Sequence, residues 1–125
     1  MLKEKKCHKI KVWPSYFDSI LSGDKTFEVR KDDRNYQVGD SLMLYEWSPE
    51  TNDYTGLFAK FNIIYKLNGG EFGIEKGYCC LGIEPIDANG ILLYCRCGGE
   101  LKEYLTSFIC RKCHTSYPIS KGTLE

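Results

Sequence analysis

The sequence predicts an α+β fold that is mainly β: a small barrel of about five strands with one helix after the first strand, then a metal-bound hairpin. Three observations lead to this prediction. Apolar and polar residues alternate through most of the first 85 positions, as in strands with one face in a core. Only residues 14–22 show helical spacing of apolar side chains. Four of the seven cysteines form two close pairs within residues 95–113.

Composition limits the classes of function. The 125 residues suit one domain, or one small domain with an appendage, and Lys+Arg equals Asp+Glu at 17 each. Nucleic acid would therefore have to be bound by a local patch and not by overall charge. No apolar run approaches the roughly 20 residues that span a bilayer. The basic residues 1–6 also lack the hydrophobic segment of a secretory signal. We expect a cytoplasmic protein with no membrane partner, whose thiols are metal ligands or buried small side chains.

The first elements are a strand and a helix. Residues 7–13 alternate apolar and polar side chains and are predicted as a strand. Pro14 begins the helix at its first position, where the missing N–H costs nothing. The helix is expected to end at Ser22 because Gly23 can adopt the left-handed cap conformation. Its predicted buried stripe consists of Tyr16, Phe17, Ile20 and Leu21.

The second strand, near residues 26–31, lies in a charge-rich stretch. Phe27 and Val29 alternate with Glu28 and Arg30. Because successive side chains of a strand point to opposite faces, we expect Phe27 and Val29 to pack in a core and the polar row to face a cleft. A surface ladder of salt bridges involving Lys25, Glu28 and Arg30 is the alternative interpretation.

Three more strands are predicted at residues 41–47, 55–67 and 78–83, separated by loops that contain glycine, proline and asparagine. Short connections favour antiparallel pairing in a closed or half-closed barrel. Pro85 should end this unit. The predicted organisation is a barrel over residues 1–85, a linker over 86–90 and a metal-bound module over 91–125.

The module is predicted from its cysteine spacing. Cys95-x-Cys97 and Cys110-x-x-Cys113 can present four thiolates from two tight turns, which suits a tetrahedral Zn²⁺. The two glycines after Cys97 allow the first turn to fold back. The segment resembles a zinc ribbon, although its first pair is C-x-C and not C-x-x-C. His114 is the substitute ligand if Cys95 does not reach, and a ribbon without metal is the remaining alternative.

The first two-thirds of the chain resemble the ASCH domain, a PUA-like β-barrel family, and most closely its small bacterial and phage branch. The motif has a G-x-K-x-x-E-x-R core and extends over about residues 7–84. The matching positions include His8, Ile10, Lys11, Pro14, Tyr16, Phe17, Ile20, Gly23, Lys25, Phe27, Glu28, Arg30, Asp33, Arg34, Tyr36, Gly39 and Asp40. The resemblance implies a PUA-like barrel that binds RNA in a cleft lined by the motif.

The resemblance implies that single-stranded RNA or a nucleotide is the partner. Arginine and lysine side chains would bind phosphates, and Glu28 would accept a hydrogen bond from a base amino group. Exposed aromatic rings would stack on an unpaired base. Tyr16 and Tyr45 are further stacking candidates, but core packing is the preferred interpretation for Tyr16. The predicted nucleic-acid-binding residues are Lys25, Glu28, Arg30, Lys31, Arg34, Trp13 and Trp47.

Two other functions remain open at this point. Some relatives within the ASCH family hydrolyse acylated cytidine nucleosides, and a hydrolase of a modified nucleoside or RNA would use Lys25 and Glu28 as base and acid. Those relatives have threonine three residues after the lysine, where this chain has Glu28. A protein-interaction adaptor that uses the zinc ribbon is the third possibility.

Overall fold

The computed structural model describes residues 4–87, 90–103 and 107–118. The larger elements are β1 (Cys7–Val12), α1 (Pro14–Leu21), β2 (Phe27–Lys31), β3 (Ser41–Ser48), β4 (Asp53–Asn68) and β5 (Tyr78–Pro85). Four short strands follow: β6 (Leu92–Cys95), β7 (Leu101–Glu103), β8 (Ser107–Cys110) and β9 (Ser116–Pro118). The prediction of a mainly-β chain with one helix after the first strand is confirmed for the described residues.

Six strands form one sheet that curls into a half-barrel, in the order β1-β3-β4-β5-β2 with β6 also paired to β4. β1 runs parallel to β3, and the other pairs are antiparallel. The register of β4 shifts against β3 between Tyr45 and Trp47, and against β5 between Ile63 and Tyr65. Such irregularities bend a strand and increase its twist, which allows the long β4 to follow the curl.

The core lies on one face of this sheet. Ile10 of β1 and Leu44 of β3 are buried, as their alternation predicts, and Phe17 and Ile20 of α1 cover them. Burying each such side chain contributes about 1.5–3 kcal/mol. The helix ends as predicted, because Gly23 has a φ of +87°. Within the part of the chain that the structure describes, α1 is too short to cross a membrane.

The strand β6 connects the C-terminal segment to the half-barrel. It pairs with β4 and places Cys95 opposite Leu57. Leu93 and Cys95 belong to the same core cluster as Cys110 and Tyr117. Side chains of β6 thus pack in the core cluster of the half-barrel. The strands β7, β8 and β9 form a second, three-stranded sheet.

The apolar side chains of β2 are not where the sequence analysis places them. Phe27 and Val29 are 45% and 48% exposed, whereas Glu28 is only 5% exposed. The prediction that Phe27 and Val29 pack in the core is wrong. The physical reason is that Lys25 and Arg30 both pair with the Glu28 carboxylate, so a charged side chain can occupy the inward position.

The edges β1 and β2 are bridged by arginine side chains. Arg30 Nη2 donates a hydrogen bond to the backbone carbonyl of Lys11, and Arg34 Nη1 donates one to the carbonyl of Lys9. Among the described strand pairs, β1 pairs with β3 alone and β2 with β5 alone. We call these two arginines and two carbonyls the arginine seam. In a closed barrel, backbone hydrogen bonds would join the two end strands of the sheet. Here side-chain hydrogen bonds from Arg30 and Arg34 connect to β1 instead.

Candidate functional site

A cleft of about 400 Å³ opens between the end of β1, the start of α1 and β2. Glu28 lies at its floor between Lys25 and Arg30, and Trp13 and Tyr16 stand at its rim. We call it the Glu28 cleft. Its lining residues are Lys11, Val12, Trp13, Tyr16, Lys25, Phe27, Glu28, Val29 and Arg30.

Each oxygen of the Glu28 carboxylate faces one cation. Lys25 Nζ lies 2.5 Å from Oε1, and Arg30 Nε lies 3.0 Å from Oε2. Lys25 Nζ also donates a hydrogen bond of 2.7 Å to the Phe27 carbonyl. A carboxylate this deeply buried needs such compensation, since an unpaired buried charge is strongly destabilising. Two cations against one carboxylate leave the floor with positive charge in excess, which favours an anionic ligand.

Exposed aromatic rings surround this charged floor. Trp13 and Tyr16 are 52% and 53% exposed. The Lys25 ammonium lies 4.9 Å from the Phe27 ring centroid and 5.8 Å from that of Tyr16. The preference for core packing of Tyr16 is wrong, because the buried positions of α1 are filled by Phe17 and Ile20. Rings that stand at the rim of a cleft can stack on an unpaired base.

The other predicted binding residues lie outside the cleft. Lys31 is exposed and follows Phe27 and Val29 on the outer face of β2. Arg34 belongs to the arginine seam, and Trp47 packs against Lys11, whose Nζ lies 4.4 Å from the ring centroid. Phe27 and Lys11 also line the cleft; both are motif positions, but neither was predicted as a binding residue. Of the seven predicted residues, the structure brings together Trp13, Lys25, Glu28 and Arg30.

The predicted cysteine ligands converge on one point. The four Sγ atoms of Cys95, Cys97, Cys110 and Cys113 all lie within 4.8 Å of one another. The Cys95–Cys113 and Cys97–Cys110 sulfur pairs are 3.6 Å and 3.4 Å apart. A tetrahedral ion with bonds of about 2.3 Å to sulfur places its ligands roughly 3.8 Å apart. The four thiols alone can therefore hold a metal ion, and His114 is not part of the group.

The turns around the cluster are adapted to the sulfurs. A Cβ on Gly99 would lie 2.6 Å from Cys110 Sγ and 3.3 Å from Cys97 Sγ. The Gly99 N–H points to Cys97 Sγ at 3.4 Å, and the Lys112 N–H points to Cys110 Sγ at 3.3 Å. Hydrogen bonds from the hydroxyl and backbone N–H of Thr115 lower the pKa of Cys113 to about 6. Donors of this kind favour the thiolate, which is the form that binds metal.

The fold and the two sites define a small half-barrel domain with a charged, aromatic-rimmed cleft and a four-cysteine cluster able to hold a metal ion. The chain belongs to the family described as "Domain of unknown function (DUF3850)", whose model matches residues 7–83. The matched range contains the whole Glu28 cleft and ends before the cysteine cluster.

A curated relative shares part of the chain. Over 42 residues the sequence is 52% identical to the "Uncharacterized 12.9 kDa protein in GpA 3'region" of Escherichia phage P2. The matched segment makes up 34% of this chain and 38% of the phage protein. The similarity thus spans little more than a third of either protein.

Proposed function

We propose that this protein binds single-stranded RNA, or a single nucleotide, in the Glu28 cleft. The observation that carries the proposal is a buried carboxylate, held between two cations at the floor of an open cleft, beneath exposed aromatic rings. A nucleotide has three matching parts: a flat base, polar groups on the base edge, and a phosphate. The resemblance to the ASCH family supports the same class of ligand and the same motif residues.

Glu28 is the residue suited to select the base. Each of its oxygens bonds one cation and has a further lone pair. A carboxylate can therefore accept a hydrogen bond from the amino group of cytosine, adenine or guanine. Uracil has no amino group, so we expect amino-bearing bases to bind more tightly than uracil.

Arg30 and Lys25 are the residues suited to bind phosphate. Arg30 uses Nε for Glu28 and Nη2 for the Lys11 carbonyl. A guanidinium has five donors in total, so others remain for phosphate oxygens. Few phosphate contacts give a modest salt dependence, with a slope of about −0.7 per contact for single strands. Binding should be clear at low salt and weak at physiological salt.

The test is a fluorescence-anisotropy titration of labelled nucleotides and short RNAs at two salt concentrations. Glu28→Gln should reduce the preference for cytidine over uridine. Trp13→Ala should weaken binding of every base by roughly 1–3 kcal/mol, the range for loss of one stacking contact. Arg30→Ala should cost roughly 1–3 kcal/mol of mononucleotide binding. Arg34→Ala also breaks the seam but lies outside the cleft, so it is the control for the mononucleotide.

A second control makes the same Glu-to-Gln substitution at a position outside the cleft. Glu50 is exposed in the loop between β3 and β4, so Glu50→Gln should leave the base preference unchanged. Absence of binding at low salt would refute the proposal and favour an adaptor that contacts another protein.

We also propose that the metal at the cysteine cluster is Zn²⁺. Four thiolates in a tetrahedral arrangement are the usual ligands of structural zinc, which needs no open position. Elemental analysis of protein purified without chelator should give one zinc per chain. A disulfide between any two of Cys95, Cys97, Cys110 and Cys113 would contradict this proposal.

Hydrolysis of a modified nucleoside is a second candidate, favoured by the direct contact between Lys25 and Glu28. Their side chains lie 2.5 Å apart at the floor of the cleft, within reach of a bound base. Thr26 is exposed and does not line the cleft, so no hydroxyl from that position joins them. Chromatography of an acylated cytidine after incubation with stoichiometric protein tests the idea, and an unchanged nucleoside would exclude it.

A further inference from the structure

A second groove, larger than the Glu28 cleft, lies across β1, β3 and β4 and reaches the turn after β6. Its volume is about 710 Å³. Lys9, Lys11 and Arg34 line it beside β1, and Arg96 lines the end beside β6. Among the described residues that line it, Asp53 is the one carboxylate. Arg34 also pairs with Asp33 at 4.0 Å. Four cations against two carboxylates still form a local positive surface in a chain whose positive and negative residues are equal in number. We call it the basic groove.

Aromatic rings lie among these cations. Tyr45 of β3 and Phe58 of β4 are opposite each other and stack at 4.9 Å between ring centroids. Tyr94 of β6 continues the stack at 5.3 Å from Phe58. Tyr54 meets Tyr45 edge-to-face at 6.2 Å and is 50% exposed. Sequence patterns did not reveal this row, because its rings come from three separate strands.

We propose that the basic groove binds consecutive nucleotides of a single-stranded polynucleotide. Phosphates would meet the lysine and arginine side chains, and bases would stack on exposed rings, with Tyr54 as the main platform. An acidic peptide could use the cations but would leave the rings without a partner. A duplex would offer phosphates but keep its bases stacked inside.

The basic groove and the Glu28 cleft meet at Lys11, which lines both. A strand whose end occupies the cleft can therefore continue along the groove. The inference rests on the proposed function for the class of ligand, but the two surfaces can fail separately. A mononucleotide reports on the cleft, whereas the gain in affinity with oligonucleotide length reports on the groove.

The cysteine cluster fixes the far end of the groove. Arg96 lies between two of the four cysteines, and its Nη2 donates a hydrogen bond of 3.3 Å to the Thr55 carbonyl. A Cβ on Gly56 would lie 2.9 Å from both Arg96 Nε and the Tyr117 hydroxyl. That hydroxyl is 3.0 Å from Cys95 Sγ. Loss of the metal should therefore displace Arg96 and weaken oligonucleotide binding more than mononucleotide binding.

Matched variants of the full chain test the proposal. Tyr54→Ala removes the exposed ring of the groove, and Tyr65→Ala removes a comparably exposed ring of the same strand outside it. Lys9→Gln removes a groove cation, and Lys76→Gln removes an exposed lysine between β4 and β5. Each variant is titrated with a mononucleotide and with an unstructured oligonucleotide of about ten residues, as RNA and as DNA.

We expect wild type to bind the oligonucleotide more tightly than the mononucleotide. Tyr54→Ala should weaken oligonucleotide binding roughly 5- to 150-fold, with little change in the salt slope. Lys9→Gln should reduce the steepness of that slope by about 0.7. Both control variants should match wild type, and mononucleotide binding should be unchanged in all four.

Several results would overturn the proposal. One is equal affinity for mononucleotide and oligonucleotide. Another is equal loss in Tyr54→Ala and Tyr65→Ala. A third is binding of poly-glutamate as tight as the oligonucleotide, because that would mean the rings contribute nothing. Failure of mononucleotide binding alone would instead refute the Glu28 cleft and leave the groove standing. If the protein binds one of the RNA and DNA oligonucleotides more tightly, and both Tyr54→Ala and Lys9→Gln weaken that binding, the tighter one is the preferred type of nucleic acid.

Discussion

Replacing Gly99 by alanine is expected to weaken metal binding about 10- to 100-fold without removing any ligand, the range known for loss of a supporting contact. The added Cβ would lie 2.6 Å from Cys110 Sγ and 2.7 Å from Lys112 Cβ, where ordinary contacts begin at 3.4 Å. The turn must therefore move by most of an ångström. Metal–ligand distances tolerate only about 0.2 Å, so the four sulfurs cannot keep their arrangement.

The neighbouring glycine supplies a matched control. Gly98 has a φ of +91°, but a Cβ there would meet nothing within 4 Å. Gly98→Ala should therefore cost about 1–2 kcal/mol of folding free energy from backbone strain. It should leave metal affinity close to that of wild type. The two substitutions add the same methyl group at adjacent positions, and only one of them touches the sulfurs.

The measurement is a competition titration with a chromophoric chelator, together with the visible spectrum of the Co²⁺-loaded protein. Wild type and Gly98→Ala should both give the spectrum of a tetrahedral thiolate site, and Gly99→Ala should give a changed spectrum that appears only at higher Co²⁺ concentration. Equal affinity in Gly98→Ala and Gly99→Ala would refute the reasoning. The reasoning would also be refuted if Cys7→Ser, which lies outside the cluster, reduced metal affinity as much as Cys113→Ser does.

Three further predictions concern stability. Glu28→Gln should lower the free energy of unfolding, measured by urea titration, by about 2 kcal/mol, because one charge-assisted hydrogen bond is lost. The control Glu50→Gln should leave it unchanged. Burial raises the pKa of Asp40, but hydrogen bonds from His8 and backbone N–H groups outweigh it and hold the pKa below its ordinary value of 3.8. The stabilisation from the ionised Asp40 carboxylate is therefore complete above pH 3.8 and is lost as pH falls through the folded-state pKa. In Asp40→Asn, the free energy of unfolding should depend less on pH in this acidic range. Burial raises the pKa of Glu46 above 4.5, and the Thr55 hydroxyl offsets this only in part. The folded protein therefore loses stability as pH rises through the folded-state pKa of Glu46. Glu46→Gln should raise the free energy of unfolding more at pH 7 than at pH 4. An equal change at the two pH values would contradict this reasoning.

Local patterns in the sequence were sufficient for β1 to β5, for α1 and for the cysteine cluster. The alternation around Ile10 and Leu44 and the helical position of Phe17 each depend on neighbours a few residues away. The spacing of Cys95, Cys97, Cys110 and Cys113 is equally local, because each pair shares one turn. Such features can be predicted from one chain, since short segments determine them.

Features that depend on distant segments were not predictable. Glu28 can point inward because Arg30 and Lys25 reach its carboxylate on the same side of a curled sheet. The general rule that apolar side chains of a strand face the core predicts the opposite orientation. The pairing of β6 with β4 joins residues more than 30 positions apart, such as Lys60 and Leu92. The basic groove collects side chains from several strands, and no segment of the sequence contains its full pattern.

The arginine seam has a consequence for the behaviour of this chain at high concentration. Unpaired carbonyls on an edge strand are templates on which another molecule can add a strand. Arg30 and Arg34 occupy the carbonyls of Lys11 and Lys9, so the edge of β1 is blocked by charged side chains. Replacing both arginines should expose that edge and promote self-association, which light scattering at increasing concentration would detect. Arg30 also lines the Glu28 cleft and Arg34 the basic groove. Replacing these two arginines should therefore reduce ligand binding and resistance to aggregation together.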